Sequence, residues 1–259
     1  MKYRFGLPKK IVFGAAATFL LSFANAQTVS EGIINLDSHK YAKAKEIFNQ
    51  MIANSPTAEN YYYLGYSYLS QFEPNFELAK ENFDKGLAID SKSYLNKIGL
   101  ATIKLGKGQK ASAIAELTQV AKESKEKDAE VLYRIGEALT MFENNNDPAL
   151  AITFINKAIE KAQKYGVPPY YYYTLGDAYR LTRDPGNAMT AYDRASEVAK
   201  NKASVFYRMA TLWMAAKQYK KAEENIAKAI NTDATYAPAY KAQAQYNKIF
   251  KDTRKLLRV

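Results

Sequence analysis

Two ladders of small residues, climbing the chain at nearly the same step, leave few folds open to it. Gly32, Gly65, Gly99, Gly136, Gly176, Ala210 and Ala244 follow one another at intervals of 33, 34, 37, 40, 34 and 34 residues. Ala44, Ala79, Ala113, Ala151, Ala188 and Ala222 form a second ladder, and seven residues beyond these stand Met51, Gly86, Val120, Ala158, Ala195 and Ala229. A small residue recurring at a fixed step marks a place where a neighbouring element comes close to the backbone. A step of this length marks a repeated supersecondary unit. Between the rungs, apolar residues fall three and four apart, which gathers them on one face of an α-helix. The chain is therefore expected to be all-α, a stack of helix pairs that share one continuous core.

One stretch shows the unit in full. Within Tyr170–Ala195, the residues Tyr172, Leu175, Gly176, Tyr179, Ala188, Tyr192 and Ala195 stand at spacings of 3, 1, 3, 9, 4 and 3. Gly176 and Ala188 are small where the two helices must lie back to back. Asp184-Pro185-Gly186 separates them, with an acidic N-cap followed by Pro at the first helical position, where its missing N–H is not needed. This spacing resembles one unit of the tetratricopeptide repeat family. The resemblance extends over roughly residues 28–250 and implies a right-handed α-solenoid of about six helix pairs and a terminal helix.

The units are expected at about 27–57, 58–91, 92–128, 129–168, 169–202 and 203–236, with a terminal helix and tail over 237–259. Units five and six follow the pattern best, with Trp213 at the second tyrosine position of unit six. Unit three departs most, having Thr102 where an aromatic is expected. Unit two carries two extra residues in its turn, and unit four has the longer turn Glu143-Asn144-Asn145-Asn146-Asp147-Pro148. The last helix, about 236–250, is either a polar-faced cap or the first helix of a further pair.

Residues 1–26 stand apart from this pattern. Lys2, Arg4, Lys9 and Lys10 precede the uncharged run Ile11–Phe23, and Ala24-Asn25-Ala26 offers a cleavage site before Gln27. That is the layout of a secretory signal peptide, and its 13-residue apolar run is shorter than the roughly 20 residues that span a bilayer. No second run of this kind follows, so no membrane span is expected in the mature chain. The absence of cysteine excludes disulfides, thiolate metal sites and a lipid-modified N-terminal cysteine. Without residues 1–26, the 33 basic and 26 acidic residues leave a formal +7. These charges alternate along helix faces, as in KAEENIAKA, and do not form the basic patch of a nucleic-acid binder.

No catalytic constellation, metal cluster or cofactor motif emerges. His39 is the single histidine and falls in a turn, and Gly106-Lys107-Gly108 lacks the spacing of a phosphate loop. The resemblance implies instead a concave groove lined by the first helices. It places Tyr62, Asn96, Tyr133, Tyr173 and Tyr207 at the fifth motif position, and Tyr66, Glu137 and Asp177 at the ninth. Two readings of the tyrosine row stand, helix packing or recognition of a peptide, for which phenolic rings suit well. Glu137 and Asp177 would make the wall acidic. The chaperone-binding members of the family carry Lys at the fifth position and Asn at the ninth. No unit here has that pair, so that activity is not implied.

The function expected is that of a non-catalytic protein–protein interaction scaffold. By the resemblance, exported members in Gram-negative bacteria are periplasmic or envelope-associated. A glycan- or cell-wall-binding module is the alternative, because tyrosine rows also stack on sugars. An enzyme assembling carboxylates from several repeats is a second.

Overall fold

Local signals start several of the helices. Side-chain oxygens of Thr57, Asn75, Asp147 and Asp184 each accept a hydrogen bond from the backbone amide three residues on, and Asp128 accepts from Glu130 and Val131. Such caps satisfy amides that have no partner within the helix. Pro148, Pro169 and Pro185 stand in first turns, where proline is tolerated. His39, Arg183 and Lys217 end their helices at left-handed φ of 58°, 61° and 58°, and Gly108 does so at 81°. Each immediately precedes the N-cap of the next helix, so the Gly106–Gly108 stretch is a helix-to-helix turn.

The computed structural model describes residues 29–256, with side chains to 249; the leader expected over residues 1–26 lies outside them. Thirteen α-helices are present among the described residues: α1 (29–37), α2 (Tyr41–Asn54), α3 (Ala58–Leu69), α4 (Phe76–Ile89), α5 (Tyr94–Gly106), α6 (Lys110–Glu123), α7 (Ala129–Met141), α8 (Pro148–Ala162), α9 (Pro169–Leu181), α10 (Pro185–Val198), α11 (Ala203–Ala215), α12 (Tyr219–Thr232) and α13 (Ala237–Leu256). The most extensive packing is within the pairs α3–α4, α7–α8, α9–α10 and α11–α12. Successive pairs also meet through their first helices, α3 on α5, α5 on α7, and so on to α11 on α13. The result is an all-α solenoid. No helix among the described residues is long and apolar enough to cross a membrane.

The ladders are the seams of this packing. Ala44, Ala79, Ala113, Ala151, Ala188 and Ala222 are all fully buried. Phe83 of α4 lies between two first helices, and a Cβ added to Gly65 or to Gly99 would stand 2.5 Å from its ring. Burying such a ring contributes about 1.5–3 kcal/mol, available only because both glycines leave room for it. The last helix runs to Leu256, beyond the residue 250 suggested by its apolar pattern, since nothing in its closing turns breaks a helix. Its inner face (Ala239, Ala242, Tyr246) is buried against the array.

Candidate functional site

Stacking the pairs curves the array, and the first helices enclose a cavity of about 1260 Å³. Its walls come from α1, α3, α7, α9 and α11, together with the segments around Tyr165 and Lys200. Of the eight residues expected to face a partner, Tyr66, Tyr133, Glu137 and Tyr173 line it. Tyr62, Asn96, Asp177 and Tyr207 do not, and each is held elsewhere.

The reason is that the fifth-position side chains reach toward neighbouring helices. Tyr62 is 2% exposed and packs on the Phe83 ring at 5.8 Å. Asn96 is fully buried, and its amide donates to the Ala58 carbonyl and the Ser93 hydroxyl, both at 2.8 Å. Tyr133 is 1% exposed and lies parallel to Tyr171 of the next pair, with ring centroids 4.2 Å apart. Tyr207 meets Tyr236 edge-on at 5.9 Å. Tyr62 and Asn96 are thus interior, as the packing reading has it, while Tyr133 and Tyr173 are packed side chains that also border the cavity.

Two arginines are set into the wall that was expected to be acidic, each between two carboxylates, so that one negative charge of each trio is left over. Arg134 is fully buried, and it donates to Glu130 through Nε and to Glu137 through Nη1, both at 2.7 Å. Its guanidinium carbon lies 4.8 Å from the centre of the Tyr66 ring and within 5.9 Å of those of Tyr62, Tyr63, Tyr133 and Tyr170. Burial works against its charge, but Glu130 and Glu137 outweigh burial and hold the group charged. Tyrosine hydroxyls complete the network: Tyr66 and Tyr133 donate to Glu137 at 2.8 and 2.7 Å, and Tyr63 and Tyr171 donate to Glu130 at 3.3 and 3.0 Å. Burial first, and then the adjacent glutamates, push these phenols well above their ordinary range, so they remain donors.

A second network surrounds Arg208. It donates to Asp177 at 3.0 Å and to Asp37 at 2.9 Å, and its guanidinium carbon lies 4.9 Å from the centre of the Tyr173 ring. Asp177 also accepts from the Tyr192 hydroxyl at 2.8 Å. Burial pushes the Tyr173 phenol up to about 12, with Arg208 opposing and Asp37 adding to the shift.

What faces the cavity uncommitted is different. Glu59 is exposed to the cavity and makes no hydrogen bond or ion pair among the described residues; partial desolvation by the surrounding walls, then Glu130 and Asp128, raise its carboxyl above the usual range. Ile34, Tyr165 and Val198, exposed by 56%, 84% and 45%, form an apolar rim. Sequence reasoning missed Glu59, Arg134, Arg208 and Asp37. A signal for Arg134 was present, because Glu130 and Glu137 stand four residues before it and three after, on one helical face.

The tetratricopeptide repeat family model matches residues 169–202. Yeast Tom70 shares the fold at a TM-score of 0.56 and 17% identity, over 82% of this chain and 44% of that one. PilW, described as a widely conserved type IV pilus biogenesis factor, gives 0.50 at 13% identity, over 85% of this chain and 98% of its own. PilF of Pseudomonas aeruginosa gives 0.45 at 16% identity, over 86% and 98%. Among curated protein sequences none matches. At these identities the likeness to Tom70 and PilW is one of fold.

Proposed function

We propose that this chain, whose residues 169–202 match the tetratricopeptide repeat and whose other helix pairs repeat that arrangement, is a non-catalytic scaffold of the bacterial envelope that seats a segment of a partner protein in its concave cavity. The observation that carries this reading is the cavity itself. Its roughly 1260 Å³ exceeds the usual 300–1,000 Å³ of a small-molecule pocket and suits a length of polypeptide. The apolar rim of Ile34, Tyr165 and Val198 offers anchor sites, and the unpaired Glu59 favours a basic side chain. Glu130, Glu137, Asp37 and Asp177 are engaged by Arg134 and Arg208, which argues against their serving as general acids or bases. The parallel contact of Tyr133 with Tyr171 occupies a ring face that a sugar would need, so a peptide is favoured over a glycan.

Binding is tested with a peptide array spanning apolar, basic and acidic sequences, probed with residues 27–259. Peptides combining apolar and basic residues are expected to be retained. Glu59→Lys is expected to weaken them roughly tenfold or more, a loss of about 1.4 kcal/mol, with helicity unchanged. Retention of the same peptides at the same strength by Glu59→Lys would remove the cavity as the binding site. Tyr133→Ala is unsuited to this purpose, because it removes a core ring.

The envelope placement rests on the leader-like residues 1–26, and the pilus-assembly role printed for PilW is an analogy from fold. Mass spectrometry of protein recovered from its native host is expected to find Gln27 as the first residue. Intact Met1 in the envelope fraction would sink the expected cleavage, and recovery from the cytoplasmic fraction alone would sink the placement.

A further inference from the structure

The two ends of the array touch across the cavity. Asp37, the last helical residue of α1, accepts a hydrogen bond from Arg208 Nη2 of α11 at 2.9 Å and from the Tyr236 hydroxyl at 3.2 Å. Lys40 Nζ, in the turn that follows, donates to Thr235 Oγ1 at 2.7 Å. Lys241 of α13 stands 5.2 Å above the ring of Phe72, in the turn between α3 and α4. The hydrogen-bonded partners are 171 to 199 residues apart in sequence, and Asp37, Arg208 and Tyr236 themselves line the cavity. The same side chains that bound the site therefore fasten the first unit to the last.

These contacts are built to part. The side chains of Asp37 and Arg208 keep 24% and 17% of their surface exposed, so solvent and salt reach the pair. When Asp37 leaves, Arg208 still donates to Asp177 and Ser204, so no guanidinium is stranded in the interior. Asp37 itself gains water. Lys40 and Thr235 are at the surface, where hydration replaces their bond.

We propose that this clasp gates the cavity, so that a partner segment is seated only after α1–α2 swings away from α11–α13. The proposal rests on the peptide-binding reading above and names the regulation of that site. With the ends joined, a segment flanked by folded structure has no lateral path into the cavity. The observed affinity is then reduced by the fraction of molecules that are open.

Because the chain has no cysteine, spin labels can be placed at will. Ala53→Cys on α2 and Lys220→Cys on α12 are both exposed. Pulsed electron resonance on this pair is expected to give one narrow distance in the parent, and a broader, longer distribution in Asp37→Ala and in the parent at high salt. Association of a peptide of alternating leucine and arginine held between two folded fluorescent domains is expected to be severalfold to about tenfold faster in Asp37→Ala, as follows if roughly a tenth of parent molecules are open. Distances unchanged by both the substitution and salt overturn the clasp. A broadened distribution with an unchanged association rate overturns the gating. A peptide bound by neither protein removes the binding reading and the gating with it, while the distances still report separately on whether the ends are fastened.

Discussion

Arg134→Ala is expected to destabilise the protein by about 3–5 kcal/mol, the usual loss when one partner of a buried ion network is removed. Glu130 and Glu137, with side chains only 26% and 15% exposed, would keep their charges and lose the cation between them. Four tyrosine hydroxyls donate to these carboxylates, but hydroxyl dipoles do not neutralise two charges in a low-dielectric wall. The substitution also empties the space among five tyrosine rings and forfeits their contact with the guanidinium. Urea unfolding followed by circular dichroism should show a much lower midpoint. Adding Glu130→Gln and Glu137→Gln should recover a substantial part of the loss, because the stranded charges are then gone. A midpoint equal to the parent's would mean that the network adds nothing to stability.

Gly176→Leu is expected to cost about 1–3 kcal/mol through overpacking, and more if Tyr192 cannot move aside. Even a bare Cβ at this position would lie 2.6 Å from Tyr192 Cδ1 and closer still to its neighbour in the ring. Tyr192 is fully buried, and its hydroxyl donates to Asp177 at 2.8 Å, so displacing the ring also disturbs a partner of Arg208. In a solenoid the damage passes to the interfaces on either side. At about 2–4 °C for each kcal/mol in a chain of this size, the melting temperature should fall by several degrees. Gly186→Ala is the control, since the nearest atom to its added Cβ is Asp184 Oδ1 at 3.8 Å and the position is helical. A melting temperature for Gly176→Leu matching that of Gly186→Ala would refute the assigned α9–α10 contact.

The helix pairs were legible because they depend on residues close in sequence. Offsets of three and four define a helix face, Asp184-Pro185 starts a helix, and a small residue every 34 or so marks where the next helix rests. Each of these statements concerns a unit and its neighbour, and the packing of Phe83 between Gly65 and Gly99 is their direct outcome. The candidate site was legible only in part. Motif position alone does not distinguish Tyr173, which lines the cavity, from Tyr62, which lies behind it.

By itself, then, the sequence determined an all-α solenoid and the seams along which its helices meet. Of the cavity lining it offered Tyr66, Tyr133, Glu137 and Tyr173 by motif position, while the helical spacing of Glu130 and Glu137 about Arg134 went unread. Only the tertiary structure decided that Arg134 and Arg208 offset half the charge of four carboxylates beside the cavity, that Glu59 faces it without such a partner, and that Asp37 meets Arg208. The physical reason is accumulation. Each repeat turns the array by a small angle set by side-chain volumes and by turn lengths, such as the longer intervals of 37 and 40 residues around unit four. The sum over six units fixes which distant side chains come within hydrogen-bonding reach. No local pattern records that sum, so a contact across 171 residues appears only when the whole superhelix is built.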